Sequence, residues 1–364
     1  MQALVLVGGE GTRLRPLTLT RPKPALPLVD RPFIRYMVDW LGRHGVSEVV
    51  MACGFRAEDL RASLGDSIPG GPTIRYVEER EPLGTAGPIR LAADEGLLGE
   101  RFLVLNGDVL TDLDLTAHMR AHEERGAVAS LALYPVEDPT SYGLVRRRDD
   151  GEVLGFLEKP DPSEIDTDEV NAGAYVLERS VVDLIPPGRM VSIEREIFPK
   201  LVGNGLYGLR LDGYWMDIGT PERYLQASWD ILERRVQTEV ADRVGESGLG
   251  IDEHADVDPS AALEGAVLVD SGAVVGANAK VGPRAVIARD AEVGEGAVVE
   301  ESVLHPGCTI GEGATVRGAI LGSGAEIGEG ATVVPGAVVG EEARIEAGVV
   351  LEPDARVEPG GVAA

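Results

Sequence analysis

The chain has 364 residues, 44% hydrophobic and 26% charged, the balance of a soluble globular protein with room for two separate cores. Its formal net charge of −27 argues against nucleic acid as a partner, and no apolar run is long enough to span a membrane. No signal-peptide pattern is read at residue 1, and two cysteines, Cys53 and Cys308, give neither a disulfide framework nor zinc-ligand spacing, so a reducing cytoplasm is the expected compartment.

Residues 3–7 (ALVLV) predict a short buried strand, and VGGEGTRLRPLTLTRPKP follows at 7–24. Gly8, Gly9 and Gly11 let the backbone turn tightly and bring its N–H groups against an anion. Thr12, Arg13, Arg15 and Lys23 add polar and positive groups suited to phosphate oxygens. The stretch reads as a triphosphate cradle, although neither GxxxxGK[ST] nor GxGxxG is present. Only four of the 34 basic residues are lysines, and two of them, Lys23 and Lys159, fall in the PKP and EKP motifs.

From there to about residue 230 predicted strands and helices alternate, as a mostly parallel α/β sheet requires. Helices are expected from Pro32 to near Gly45, over 57–64, 86–94 and 116–125, over 192–201 with Ser192 as cap, and from Thr220 to about Val236. Strands are expected over 48–52, 73–77, 102–105, 128–134, 171–177 and 206–211. A hairpin should turn at Asp150-Gly151. Residues 237–250 are polar with three glycines and read as a link between domains 1–236 and 251–364.

Beyond residue 250 large aliphatics recur every sixth residue, from Ile251 through Val257, Leu263 and Val269 to Val357, with one-residue deletions before Leu304 and before Leu321. Alanine stands four residues after most of them. A parallel β-helix explains this period, each hexad making one short strand and one corner. Nineteen hexads predict about six triangular coils.

The motifs GGxGTRLRPLT, PKP, EPLGTAG, LNGDV, SYGLV, FLEKP, NAGAYVLE, SIEREIFP and GYWMDIGTPERY occur in this order. In this the chain resembles the sugar-nucleotidyltransferases, and is most similar to the GDP-mannose pyrophosphorylases (mannose-1-phosphate guanylyltransferases). The resemblance implies a Rossmann-like nucleotidyltransferase domain with a mostly parallel sheet, followed by a left-handed β-helix of hexapeptide repeats. It also implies the reaction: a sugar 1-phosphate attacks the α-phosphate of a nucleoside triphosphate, giving NDP-sugar and pyrophosphate. Small-molecule substrates are the implied partners, with no nucleic acid and no membrane, and a homo-oligomer is expected.

The nucleophile of such a reaction is an ionised phosphate oxygen, so catalysis needs positioning and charge neutralisation rather than a general base. By resemblance Asp108 and Asp217 hold Mg²⁺, and Arg13 and Lys23 hold the triphosphate with Gly8, Gly9, Gly11 and Thr12. Gly143, Glu158, Lys159 and Asn171 take the sugar phosphate. The loop of Glu81 and Gly84 faces the base. Glu81 is a plausible acceptor for the two donors on guanine's Watson–Crick edge, with Glu79 close enough to compete. The alternatives are dTTP or UTP with glucose 1-phosphate, GTP with another hexose or cyclitol phosphate, and a non-catalytic regulatory homologue. His118 and His122, four apart on a predicted helix, are expected on a solvated face. His254 and His305 are expected to be structural corners of the β-helix rather than acyl-transfer residues.

Overall fold

The apolar run that opens the chain is a strand, Gln2–Leu6, paired in parallel with Glu48–Cys53 on one side and Arg101–Asn106 on the other. The computed structural model describes residues 1–54, 56–158, 163 and 165–364, the side chains of Ser141 and Glu158 excepted. The chain divides into two compact units, one of Met1–Gly9 with Met37–Trp215 and one of Glu10–Tyr36 with Met216–Ala364.

In the first unit, Thr73–Glu78 extends the parallel strands beyond Glu48–Cys53. A parallel sheet is covered on both faces, and Ala3, Leu4 and Val5 are accordingly sealed from solvent. Glu169–Glu178 runs antiparallel to Arg101–Asn106 and also pairs with Ala129–Pro135, on which Leu206–Arg210 lies in parallel. The predicted hairpin is present as Gly143–Arg147 against Val153–Glu158, and completes a nine-stranded sheet. Leu4, Phe102, Val104, Tyr175 and Phe198 share the core.

Two expectations fail in this unit. The segment 192–201 is a π-helical turn, Ile193–Ile197, followed by a short α-helix, Phe198–Leu201, because Pro199 has no N–H to continue the α-helical ladder. Ser192 caps it as predicted, accepting from the Arg195 N–H at 3.2 Å. The second failure concerns His118 and His122, which face the interior and are fully buried. Both reach Ser130 Oγ, at 2.9 Å each, and His122 Nε2 lies 3.1 Å from Glu178 Oε1. The helix Leu115–Arg125 is polar in sequence on both faces, so its buried side is set by the partners waiting on the sheet.

In the second unit, Glu10–Tyr36 folds as three short turns, Thr12–Leu14, Leu17–Leu19 and Lys23–Ala25. The helix Pro221–Leu232 is capped by Thr220, whose side chain accepts from the Arg223 N–H. It stops short of Val236, with Arg234 in the left-handed region at φ 61°. A helix, Glu239–Val244, occupies part of the polar span read as a link.

The hexad series then forms three parallel sheets of seven, seven and five strands among the described residues, consistent with a left-handed β-helix. Val269, Ile287, Leu304, Leu321 and Val339 stack in register on one sheet. They are buried in the coil interior, as are Val275, Val281 and Val293 and the corner alanines Ala273, Ala279 and Ala291. Ile251 departs from the pattern at 48% exposure, because only one coil stacks on the first strand. Among the described residues no helix is long and apolar enough to cross a membrane.

Candidate active site

In the first unit the chain leaves the strand Gln2–Leu6 at its carboxyl end, where open parallel sheets place ligands. The Val7 N–H donates to the Ala52 carbonyl at 3.0 Å and the Gly107 N–H to the Leu6 carbonyl at 2.9 Å. A Cβ on Gly107 would stand 2.5 Å from Val7 Cγ1 and 2.7 Å from the Leu6 carbonyl oxygen. Gly107 is therefore required for Asp108 to cross beside the first strand, a reason that spacing in LNGDV does not reveal. Asp108 is partly exposed, and its charge acts on the Tyr175 hydroxyl.

Gly8 and Gly9 follow that strand. A Cβ on Gly8 would meet Glu79 Oε1 at 2.8 Å, whereas around Gly9 there is open space. Glu79 Oε2 accepts from the Leu83 N–H at 3.0 Å. Burial raises the Glu79 carboxyl above its usual range, and the Leu83 N–H opposes the shift. Glu81, the base reader expected from sequence, is exposed. The carboxylate fixed beneath the glycine turn is that of Glu79.

The loop around Gly84 is clamped from behind. Gly84 has φ 75°, and a Cβ there would lie 2.5 Å from the Val191 carbonyl oxygen. That oxygen accepts from the Ala86 N–H at 2.9 Å, and the Val191 N–H donates to the Leu83 carbonyl at 2.9 Å. Thr85 Oγ1 donates to Glu194 Oε2 at 2.7 Å, where Ser192 Oγ also donates at 2.8 Å. The Tyr175 hydroxyl donates to Glu194 Oε1 at 3.2 Å and accepts from Asn171 Nδ2 at 2.9 Å. Glu194 thus joins the candidate base loop to the candidate sugar residue Asn171, and it went unnoticed in sequence although SIEREIFP contains it.

Asn171 Oδ1 also accepts from the Gly173 N–H at 3.0 Å, across a bulge in Glu169–Glu178. One donor and one acceptor site of its amide remain for a ligand. Gly143 lies in register with Glu158 on the hairpin. The Glu158 side chain and all of Lys159 lie outside the described residues. Tyr134 and Tyr142 each pack 5.7 Å from the Trp215 ring, whose Nε1–H donates to the Ala172 carbonyl at 2.8 Å. This aromatic cluster beside Asn171 was visible in sequence only as scattered Tyr and Trp.

The second unit carries Gly11, Thr12, Arg13, Lys23 and Asp217. Gly11 has φ 63°, and a Cβ on it would approach Lys23 Cβ and Thr18 Cγ2 at 3.1 Å each. Thr18 Oγ1 donates to the Gly11 carbonyl at 2.9 Å. Lys23 is consequently buried against the turn, while Thr12 and Arg13 are exposed. Gly219 makes room for Arg13: a Cβ there would stand 2.6 Å from its Nη2. Asp217 Oδ1 is ion-paired with Arg223 Nη1 at 2.8 Å.

Among the described residues no cluster holds three or more potential metal-ligating side chains. A single carboxylate such as that of Asp108 fits Mg²⁺ nonetheless, since that ion takes one or two carboxylates and completes its shell with water and substrate phosphates. His305 is buried and hydrogen-bonded to the Tyr224 hydroxyl at 2.9 Å, so it has the structural role expected of it.

The family profile described as "Nucleotidyl transferase" matches residues 2–234, and that described as "GMPPB C-terminal domain" matches residues 263–359. The mannose-1-phosphate guanylyltransferase of Mycobacterium tuberculosis is 38% identical over 311 residues, covering 84% of this chain and 80% of that protein. The mannose-1-phosphate guanylyltransferase 1 of Arabidopsis thaliana is 43% identical over 230 residues, covering 62% of this chain and 63% of that protein. The crystal structure of HddC from Yersinia pseudotuberculosis superposes with a TM-score of 0.55 at 28% identity, over 62% of this chain and 97% of that one. A strand-end glycine turn, a carboxylate at the neighbouring strand end and a similarity running through the β-helix agree: the chain belongs to the nucleotidyl transferase family.

Proposed function

We propose that this enzyme transfers the guanylyl group of GTP to mannose 1-phosphate, giving GDP-mannose and pyrophosphate. The observation that carries the reading is the similarity to mannose-1-phosphate guanylyltransferases across both the sheet and the β-helix. HddC, a structural relative, has been crystallised with GMP-PN, which supports guanine as the base.

In this reading a phosphate oxygen of mannose 1-phosphate forms a bond to the α-phosphorus of GTP. The bond from that phosphorus to the β-phosphate's bridging oxygen breaks, and pyrophosphate leaves with the electron pair. Arg13 and Lys23 neutralise charge on the triphosphate, and the turn of Gly8, Gly9, Gly11 and Thr12 offers backbone N–H groups. Asp108 and Asp217 would hold Mg²⁺, which when bound supplies charge neutralisation on the phosphates. Gly143, Glu158, Lys159 and Asn171 take the sugar phosphate. Guanine presents two adjacent donors, and we assign their acceptor to Glu79 ahead of Glu81, because Glu79 is held in place by the Leu83 N–H. We place the enzyme in the cytoplasm and expect a homo-oligomer.

Pyrophosphate release measured across four nucleoside triphosphates and several sugar phosphates, with and without Mg²⁺, tests the reading. GTP with mannose 1-phosphate should be the preferred pair. Equal or better turnover with dTTP would remove the guanine assignment.

A further inference from the structure

The segment Glu10–Tyr36, which carries Arg13 and Lys23, belongs to the same compact unit as the β-helix. Three attachments tie it there. Arg21 Nη2 is paired with Glu341 Oε1 at 2.6 Å, two residues before Lys23. The Pro27 carbonyl accepts from the Tyr224 hydroxyl, which lies 2.9 Å from His305 Nε2. Asp30 accepts from Arg243 at 3.1 Å, and the same guanidinium reaches Asp270 at 3.0 Å.

The β-helix partners share a place in the fold. Val269, Leu304 and Val339 belong to one sheet, in register through Ile287 and Leu321. Asp270 and His305 directly follow Val269 and Leu304, and Glu341 comes two residues after Val339. One edge of one sheet therefore supplies all three partners, from alternate coils.

Proton bookkeeping fixes the direction of the middle attachment. Tyrosine has one hydroxyl proton, and the carbonyl of Pro27 can only accept. The Tyr224 hydroxyl therefore donates to Pro27 and accepts from His305, which must carry its proton on Nε2. His305 and Tyr224 are both buried, so neither group can exchange its partner for water.

We propose that this edge of the β-helix positions the phosphate-binding segment, with Tyr224, His305 and the Arg21–Glu341 pair as positioning residues for Lys23 and Arg13. The inference rests on the reading that those two cations hold the triphosphate. It gives the β-helix a part in nucleotide binding through the chain's own contacts.

The test uses the full chain, with GTP and mannose 1-phosphate varied separately in the pyrophosphate-release assay. Tyr224→Phe keeps the ring and removes the hydroxyl. One lost hydrogen bond should raise the GTP KM or lower kcat by up to about tenfold, with the mannose 1-phosphate KM changed less than about twofold. Arg21→Glu and Glu341→Arg should each do the same, and the double variant with the charges exchanged should recover most of the loss. Thermal midpoints of all variants establish that they fold. Unchanged GTP constants in folded Tyr224→Phe and Arg21→Glu overturn the inference, as do equal losses for both substrates or no recovery in the exchanged pair. Lys23→Ala separates the two levels. If it loses GTP turnover while Tyr224→Phe does not, positioning alone fails; if Lys23→Ala is normal, the phosphate reading fails and takes the inference with it.

Discussion

Acidification should destabilise the protein through His118, by an amount the structure allows to be worked out. Its Nε2 lies 2.9 Å from Ser130 Oγ, its Nδ1 has no hydrogen-bond partner among the described residues, and the ring is fully buried. Burial pushes the imidazole from 6.5 down to about 3, with the neighbouring His122 adding to the shift and Ser130 opposing it. In the unfolded chain the group titrates near 6.5. Because the folded value is the lower one, the unfolded state binds more protons between these limits. The stabilisation is complete above 6.5 and is lost as pH falls towards 3, at about 1.4 kcal/mol per pH unit. At pH 4.5, two units below the unfolded value, the loss is about 3 kcal/mol, undiminished by solvent screening because the ring is dry. Urea unfolding followed by circular dichroism at pH 7.5 and 4.5 measures it. His118→Gln retains an N–H near the Nε2 position but does not titrate. The variant should start less stable, yet lose about 3 kcal/mol less than the wild type on acidification. Titrating groups that do not interact with His118 are common to both proteins and cancel in the comparison, so equal acid losses would refute the argument.

Asp108→Asn should keep the thermal midpoint and lower turnover by roughly a hundredfold or more, since the metal would lose a charged ligand; near-normal turnover would place the metal elsewhere. Glu79→Gln should lower kcat/KM for GTP by about 10- to 100-fold, the worth of a hydrogen bond to a charged acceptor. Glu81→Gln should change it by less than about threefold, and the opposite ranking in steady-state kinetics would return the base to Glu81. Gly84→Ala forces a Cβ against the Val191 carbonyl at positive φ, so it should lower stability by about 1–3 kcal/mol. An unchanged thermal midpoint would show that the loop relaxes away from residue 191.

The β-helix was legible because its period has a single cause. A coil of three short strands returns to the same face every sixth residue, and only an aliphatic fills the interior there. Even the deletions before Leu304 and Leu321 are absorbed without breaking the stack, since Ile287, Leu304 and Leu321 remain in register. The strands of the sheet were legible for a related reason, being apolar on both faces. What failed depended on a neighbour distant in sequence. Nothing local in TAHMRAHEER says that Ser130 and Glu178 will lie opposite both histidines. The π-helical turn Ile193–Ile197 is the exception, since Pro199 lies in the same motif and its missing N–H acts locally.

The candidate site divides along the same line. Glycines at 11 and 84 stand where positive φ and close backbone approach force the residue type locally. Gly107 answers to the same rule but was hidden, since the atom it avoids belongs to Val7, just past a strand a hundred residues earlier. Carboxylates obey no such rule: burial and the Leu83 N–H distinguish Glu79 from Glu81, and neither is written in the motif. Asp217 could have been understood further from the sequence. Thr220 as cap and Pro221 at the first helical position fix where the helix begins, which sets Arg223 in its first turn. From there its guanidinium reaches back to Asp217 across the cap. The second aspartate is thus an ion-paired carboxylate whose partner the TPER motif already specifies, whereas the surroundings of Asp108 depend on Tyr175, which only the sheet brings near.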